Sequence, residues 1–427
     1  MQTLYRLPNK YSKWCVVKCC ADFRAATSMH AVKMPSALIK NQVLVRNIAV
    51  GINASDLNYV SGVYRRGMEN DLSSNPGCGF EALGVVVALP ESLEQSDPWL
   101  GSVVLVSSYC AFSEYQVVSK SNCFILPGST TKMVNTADEF NIVAKKIYES
   151  HHHYLPLTLS GATALLSLSV AFRTLQAMSL TSFPTIQENE LSSSINGLCR
   201  TNQKFNILVT AAAGAFGHLL TQLLCYYMPA STILAVTSSK KKGQWIEKHC
   251  FTNQSAKRAV LCYNENSIDD MLKKHCLSQI SDSSSCGAAP LNMIFDTVGG
   301  ETLQSLMLHA SNKSVTMVIG STSQYVNSNW NEIILGSGVA KPKDQESSLS
   351  VSSRLLTRSS AMVGFFLPHY KKHIPSAIDH LVQLTHRKEI FPQVDLSTTF
   401  NCLEDIPSGV EHLYSKQSCG KVIVRLV

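Results

Sequence analysis

The spacing of apolar and polar positions changes along the chain. In the N-terminal third the apolar stretches are short and rich in β-branched residues: Gln42 to Ile52 (QVLVRNIAVGI), Gly84 to Leu89 (GVVVAL), Ser102 to Val106 (SVVLV) and Ala111 to Val118 (AFSEYQVV). Turn signals such as Asn75-Pro76-Gly77 and Asp97-Pro98 separate them. Short strands punctuated in this way predict a β-rich barrel or sandwich.

In the middle of the chain strands alternate with helix-length segments. Phe205 to Thr210 (FNILVT) is a continuous apolar run, followed by small residues and then by Phe216 to Met228 with apolar positions at helical spacing. Ser231 to Thr237, Ala259 to Tyr263, Leu291 to Asp296 and Ser314 to Gly320 repeat the strand signal, and Lys240 to Cys250 reads as a helix. Strands buried on both faces read as continuous apolar runs, and their alternation with helices predicts a doubly wound parallel α/β sheet. Three polar stretches interrupt the pattern, Gly128 to His153, Ser179 to Asn206 and Asn327 to Ser353, and read as surface insertions. Within the first of them His151-His152-His153 reads as a solvated loop, with a metal tract as the alternative.

Composition narrows the class. The chain has 427 residues, enough for two or three domains. Charged residues make up 16% against about 25% in an average domain, so the chain can bury a large core and is not intrinsically disordered. No run of about 18 uncharged apolar residues stands out, so no membrane-spanning helix is expected. The net charge of +7 is scattered apart from Lys240-Lys241-Lys242, so no nucleic-acid-binding face is expected. The 14 cysteines show no C-x-x-C pair, and the first residues lack an apolar leader core. The thiols therefore read as reduced and mostly buried, and the compartment as cytoplasmic by default.

One motif carries chemistry. Ala211-Ala212-Ala213-Gly214-Ala215-Phe216-Gly217 follows a strand and opens a helix. Aligned with G-x-G-x-x-G, its three positions are Ala212, Gly214 and Gly217. The middle glycine lets the backbone approach a pyrophosphate, the last packs the helix on the strand, and the helix N-terminus offers N–H groups to phosphate. Specificity for NAD needs an Asp or Glu about 20 residues further on. Here the next strand ends Thr237-Ser238-Ser239-Lys240-Lys241-Lys242. Hydroxyls and ammonium groups suit the 2′-phosphate of NADPH through charge-assisted hydrogen bonds. The alternative is a solvated helix start or a chance likeness to a nuclear signal.

These residues, with Gly51 to Tyr59 (GINASDLNY), Gly62-Val63-Tyr64, Gly79-Phe80-Glu81, Ser160 to Ala164 (SGATA), Asp296 to Gly300 (DTVGG) and Gly364 to Leu367 (GFFL), resemble the medium-chain dehydrogenase/reductase superfamily on its zinc-free quinone oxidoreductase branch. The resemblance runs from about residue 10 to the C-terminus. It implies a GroES-like β-rich catalytic domain at 1–157, a Rossmann domain at 158–366 and a C-terminal return to the catalytic domain at 367–427, with the active site in the cleft. Zinc-dependent relatives have a cysteine near Ser55-Asp56 and a histidine where this chain has Phe80. Four clustered cysteines for a structural zinc are also missing, since Glu94 to Tyr115 holds only Cys110. No metal is therefore expected.

Carried over by the resemblance, the NADPH contacts are Ala212, Gly214, Ala215, Phe216 and Gly217 at the phosphates and Ser238 and Lys242 at the 2′-phosphate. Tyr263 lies on the adenosine side, Thr297, Ile319 and Tyr325 follow later strands, Phe365, Phe366 and Leu367 line the nicotinamide end, and Ser418 sits near the tail. Phe216 departs from the family's small hydroxyl residue. Turned toward the pyrophosphate it weakens binding; packed into the sheet it costs nothing. The implied reaction is hydride transfer from NADPH to the β-carbon of an α,β-unsaturated ketone or aldehyde, such as a 15-oxo-prostaglandin-like or lipid-derived enal. Tyr325, Tyr64 and Asn53 are the candidate catalytic residues. Tyrosine, with a pKa of about 10, stays protonated and donates to a developing enolate. Tyr59 and Tyr64 read equally as packed aromatics, and Asp56 and Glu81 as structural hydrogen-bonding residues. The alternatives are an NADPH:quinone reductase, or a weakly catalytic, crystallin-like cofactor-binding protein associated with RNA. The implied partner is a small enone or quinone, and a homodimer fits the family.

Overall fold

The computed structural model describes residues 1–65, 72, 76–91, 97–131, 134, 136–179, 200–251, 257–263, 272, 291–323 and 351–427. The chain divides into two compact units, Met1–Ser160 with Pro392–Val427, and Gly161–Phe391.

In the first unit the strands are β1 (Gln2–Thr3), β2 (Lys10–Val16), β3 (Thr27–Lys33), β4 (Gln42–Gly51), β5 (Glu81–Leu89), β6 (Ser102–Ser107), β7 (Tyr115–Ser119) and β8 (Cys123–Thr130). The tail strand Ile423–Arg425 pairs antiparallel with β4, and the order continues β4-β5-β6-β8. β1 joins β5 and β7 joins β4, while β2 and β3 form a separate hairpin-like pair. Every residue of β5 is buried, because both faces of that strand meet core side chains. Val45, Val50, Val86, Val104, Phe112 and Val424 form one apolar cluster, so the C-terminal tail is part of this unit's core.

The second unit is built on β9 (Asn206–Val209), β10 (Thr232–Thr237), β11 (Lys257–Cys262), β12 (Leu291–Asp296), β13 (Ala310–Val318) and β14 (Ala361–Gly364). All are parallel, in the order β11-β10-β9-β12-β13-β14. Counted within the unit this is 3-2-1-4-5-6, the doubly wound order of dinucleotide-binding sheets. The direction of winding switches between β9 and β12. Helices Ala215–Tyr227 and Lys240–His249 follow β9 and β10 as crossovers.

Some expectations change. The stretch Gly128 to His153 is not simply a surface insertion: it holds helix Ala137–His151, capped by the Thr136 hydroxyl and burying Phe140, Ala144 and Ile147. Its i, i+4, i+7 apolar spacing was masked by the surrounding polar residues. The histidines there are packed. His151 Nε2 lies 2.6 Å from Ser129 Oγ, and His152 stacks on Tyr148. Residues 180–199 of the stretch Ser179 to Asn206, and residues 327–350 of the stretch Asn327 to Ser353, lie outside the described residues. One described stretch, Ala137–Met178, does reach the length and apolarity of a membrane span, with a window of mean hydropathy 1.6. That window is 83% buried inside the protein, which makes it core helix. The second crossing between units falls after Phe391, beyond the expected 366/367. Helix Ile374–His386 is tied to the parallel-sheet unit by Tyr227 Oη to His380 Nε2 at 2.6 Å, and Phe391 N donates to Gln222 Oε1 at 2.6 Å. The first crossing lies in the first turn of helix Leu159–Ser179.

Candidate active site and cofactor loop

The sequence-predicted contacts of the parallel-sheet unit gather on one rim. Ala212 to Gly217 follow β9, Ser238 and Lys242 follow β10, and Tyr263 follows β11. Thr297 follows β12, Ile319 follows β13, and Phe365 to Leu367 follow β14. In a parallel sheet these carboxyl ends share one edge, where ligands of open α/β sheets bind. Tyr325 lies outside the described residues.

The glycine turn is closely packed at Gly217 and less so at Gly214. Ala211 takes a left-handed φ of 47°, which reverses the chain directly after β9. A Cβ on Gly217 would stand 2.5 Å from Ala211 O and 2.6 Å from Ala212 Cα, so only glycine lets the helix start this close to the turn. A Cβ on Gly214 would meet nothing but Ala211 O at 3.2 Å. Gly214 is thus less crowded than Gly217, although a side chain there would still press on the Ala211 backbone. It also caps helix Ala215–Tyr227 with no side chain, and no acid occupies the first turn. The first-turn N–H groups and the positive helix end remain suited to an anion. Phe216 is half-buried at this helix start.

Around the switch point the loops are laced together. Thr210 Oγ donates to Asp296 Oδ1 at 2.9 Å and accepts from Thr297 N at 2.9 Å. Asp296 also accepts from Gly299 N at 2.7 Å, and burial raises its pKa. Thr322 N donates to Thr297 O, and Ile319 N to Asp296 O. Phe365 is 7% exposed and stacks on Tyr370 with ring centres 4.6 Å apart, while Phe366 is exposed.

Three lysines open helix Lys240–His249, with Ser239 as its cap and no acid in the first turn. Cations at a helix N-terminus oppose the dipole by a few tenths of a kcal/mol each. A bound phosphate reverses that penalty. The residues present thus fit a phosphorylated dinucleotide.

In the first unit Asn53 sits at the centre of a buried polar knot. Its backbone N donates to Asp56 Oδ2 at 2.7 Å, starting helix Ala54–Val60. Its Nδ2 donates to Glu81 Oε1 at 2.9 Å, and its Oδ1 accepts from Lys421 Nζ at 2.5 Å. Lys421 also ion-pairs with Glu81, and both side chains are 0% exposed. Glu81 Oε2 accepts from the Thr158 hydroxyl and from Leu159 N at 3.0 Å. A Cβ on Gly51 would stand 2.4 Å from Glu81 Oε1, which is why β4 ends in glycine there. Burial pushes the Asp56 carboxyl up to about 8, and its Oδ1 has no hydrogen-bond partner among the described atoms. Asn53 is thereby committed at both ends of its amide to holding the protein together.

Tyr64 lies on the short 3-10 turn Val63–Arg65 and accepts a hydrogen bond from Asn58 Nδ2 at 3.0 Å. Tyr59, Phe80 and Tyr109 form a triangle of rings with centroids 5.1 to 5.6 Å apart. Ser418 is buried in the first unit, just before the tail strand. Among the described residues no three His, Cys, Asp or Glu side chains group as metal ligands, and the described cysteines are free thiols.

Sequence reasoning missed Lys421, Thr158 and Asn58. Lys421 had a signal: a lone lysine heading an apolar strand (Lys421-Val422-Ile423-Val424) is a buried charge that needs a partner. Thr158 and Asn58 had none.

Comparison with known proteins agrees with this architecture. Residues 39–146 match the alcohol dehydrogenase GroES-like domain. A Leishmania amazonensis protein described as "Probable quinone oxidoreductase" is 25% identical over 419 residues, covering 98% of this chain and 99% of that one. Prostaglandin reductase-3 of Bos taurus is 25% identical over 432 residues, covering 98% and 90%. Among solved structures, Escherichia coli quinone oxidoreductase complexed with NADPH superposes with a TM-score of 0.62 at 17% identity, covering 97% and 99%. A GroES-like domain joined to a 3-2-1-4-5-6 parallel sheet, with relatives matched end to end, makes this chain similar throughout its length to the quinone oxidoreductases and prostaglandin reductases of the medium-chain dehydrogenase/reductase superfamily.

Proposed function

We propose that this protein is an NADPH-dependent oxidoreductase that reduces the carbon–carbon double bond of α,β-unsaturated ketones and aldehydes, 15-oxo-prostaglandin-like enones among them. The observation that carries the reading is the rim of the parallel sheet. There Gly214 stands at a helix start without an acid, and a lysine-rich helix start follows the next strand. NADPH, when bound, supplies a hydride to the β-carbon.

The chain's own residues do the rest. Gly214 and the N–H groups of Ala215 and Phe216 hold the pyrophosphate. Ser238 and Lys242 hold the 2′-phosphate. The Thr210–Asp296–Thr297 network keeps the adjoining loop fixed, so binding does not have to order it. Negative charge developing on the substrate's carbonyl oxygen would need a hydrogen-bond donor, which Tyr64 or Tyr325 would provide. The α-carbon then takes a proton from water. Asn53 supports this by anchoring helix Ala54–Val60, which leads into the turn that carries Tyr64.

Quinone reduction is the second reading, favoured by the names of the relatives and by the cluster of Tyr59, Phe80 and Tyr109 rings, which offers an aromatic patch. The test is to mix protein, NADPH and a panel of enones and quinones and follow the 340 nm absorbance. Turnover of enones supports the lead, turnover of quinones alone supports the second reading, and tight NADPH binding without turnover refutes both.

A further inference from the structure

His218 directly follows the glycine turn, and its ring folds back onto that turn. It is fully buried in the opening of helix Ala215–Tyr227. Two of its donors reach the same oxygen: His218 N lies 3.0 Å from Gly214 O, and Nδ1 lies 2.9 Å from it. A carbonyl oxygen only accepts, so Nδ1 carries a proton here. The first of these bonds belongs to any helix start; the second depends on residue 218 being a histidine. The imidazole also meets the Trp245 ring of the next helix in a T-shaped contact, with centroids 6.0 Å apart.

Gly214 gains from such a clamp. It caps the helix with no side-chain bond, and glycine has the freest backbone of any residue. Its own N donates to Ala211 O at 2.9 Å, and its O takes both bonds from His218. The peptide between Gly214 and Ala215 is planar and trans, so its C=O and N–H point in opposite directions. Drawing the C=O inward along the helix aims the Ala215 N–H out of the helix start, where an anion is expected. A carbonyl that accepts a second hydrogen bond also polarises its peptide group and strengthens that N–H as a donor.

We infer that His218 is a positioning residue whose imidazole fixes the Gly214–Ala215 peptide with the Ala215 N–H facing the cofactor's pyrophosphate. This rests on the reading above that the turn from Ala212 to Gly217 takes that pyrophosphate. A turn fixed in advance does not have to be ordered by the ligand, so the clamp contributes to affinity.

The experiment titrates NADPH by fluorescence into three full-length proteins: wild type, His218→Val and His218→Thr. The two replacements have the same shape and leave the same space, but a threonine hydroxyl can donate to the carbonyl four residues back. Thr221 does so in this helix, to Gly217 O at 2.8 Å. Loss of one hydrogen bond corresponds to about 2- to 10-fold in affinity. His218→Val is expected to have a Kd about 3- to 10-fold above that of His218→Thr. A merely structural histidine would cost the same in both. A Kd in His218→Thr equal to or above that of His218→Val, or a wild-type Kd in His218→Val, overturns the inference and leaves the cofactor reading standing. No NADPH binding by the wild type overturns the cofactor reading and the inference with it. Should both variants fail to fold, His218→Asn and His218→Leu fill more of the space. The asparagine Nδ2 stands where the imidazole Nδ1 does, and leucine has the same outline without a donor. His218→Asn must then bind NADPH more tightly than His218→Leu, and equal affinity overturns the inference.

Discussion

Replacing Lys421 by methionine keeps the length and apolar stem of the side chain and removes its charge. Lys421 and Glu81 are both fully buried, so the variant leaves a carboxylate in the interior without its counter-ion. Breaking a buried pair on one side costs about 3–5 kcal/mol. Glu81 retains three donors, from the Thr158 hydroxyl, Leu159 N and Asn53 Nδ2. Asn53 Oδ1 loses the Lys421 ammonium that donates to it. The retained donors put the cost at the lower end, about 3 kcal/mol. At roughly 2–4 °C per kcal/mol for a domain of this size, the melting transition of the GroES-like unit should fall by about 6–12 °C. Differential scanning calorimetry of the full chain at pH 7 reads this directly. Adding Glu81→Gln removes the orphaned charge, so the double variant should regain at least half of the loss. A Lys421→Met protein melting within about 2 °C of wild type, or a double variant showing the sum of two losses, would refute the view that this pair is a coupled, desolvated unit.

Other contacts carry their own expected outcomes. Gly217→Ala forces a methyl against the backbone of Ala211 and Ala212 and should cost about 1–3 kcal/mol in thermal stability. Gly214→Ala presses a methyl to 3.2 Å from Ala211 O, a milder crowding than at Gly217, so it should lower the melting temperature less than Gly217→Ala yet bind NADPH at least about tenfold more weakly in a fluorescence titration. Lys242→Glu places an anion where a 2′-phosphate is expected; losing one charge-assisted hydrogen bond, at about 1.5–3 kcal/mol, should raise the KM for NADPH at least about tenfold and leave that for NADH nearly unchanged. Asp56 has a folded-state pKa pushed by burial from 3.8 to about 8. A carboxyl raised in this way contributes fully below about pH 4, and that contribution is lost as the pH climbs through 8. Between pH 6 and 9 the wild type should therefore lose more stability than Asp56→Asn, and parallel melting curves would contradict the assignment.

The parallel-sheet unit was the more legible of the two. Its strands are continuous apolar runs, and the observed β10, β11 and β12 fall within a residue or two of the runs at 231–237, 259–263 and 291–296. The glycine turn could be placed because strand, turn and helix are contiguous in sequence. In the GroES-like unit β4, β5 and β6 were visible, but the β2–β3 pair was not, since Lys10–Val16 and Thr27–Lys33 alternate polar and apolar residues with few breaks. The polar knot was the least legible. Asn53, Glu81, Thr158 and Lys421 are spread over most of the chain; the β4–β5 pairing brings Asn53 to Glu81, and the pairing of the tail strand with β4 brings Lys421 to both. Asn53 illustrates the difference: its place beside Asp56 was readable, while the engagement of both ends of its amide depends on a lysine 368 positions away.

The central claim is hydride delivery to carbon. The measurement that tests it most directly is turnover of 4-phenylbut-3-en-2-one with NADPH carrying deuterium at C4 of the nicotinamide, with mass spectrometry and NMR of the product. The account predicts a saturated ketone with one deuterium on the β-carbon and a solvent-derived hydrogen on the α-carbon. Deuterium at the carbonyl carbon of an allylic alcohol, or an unlabelled product, would contradict it.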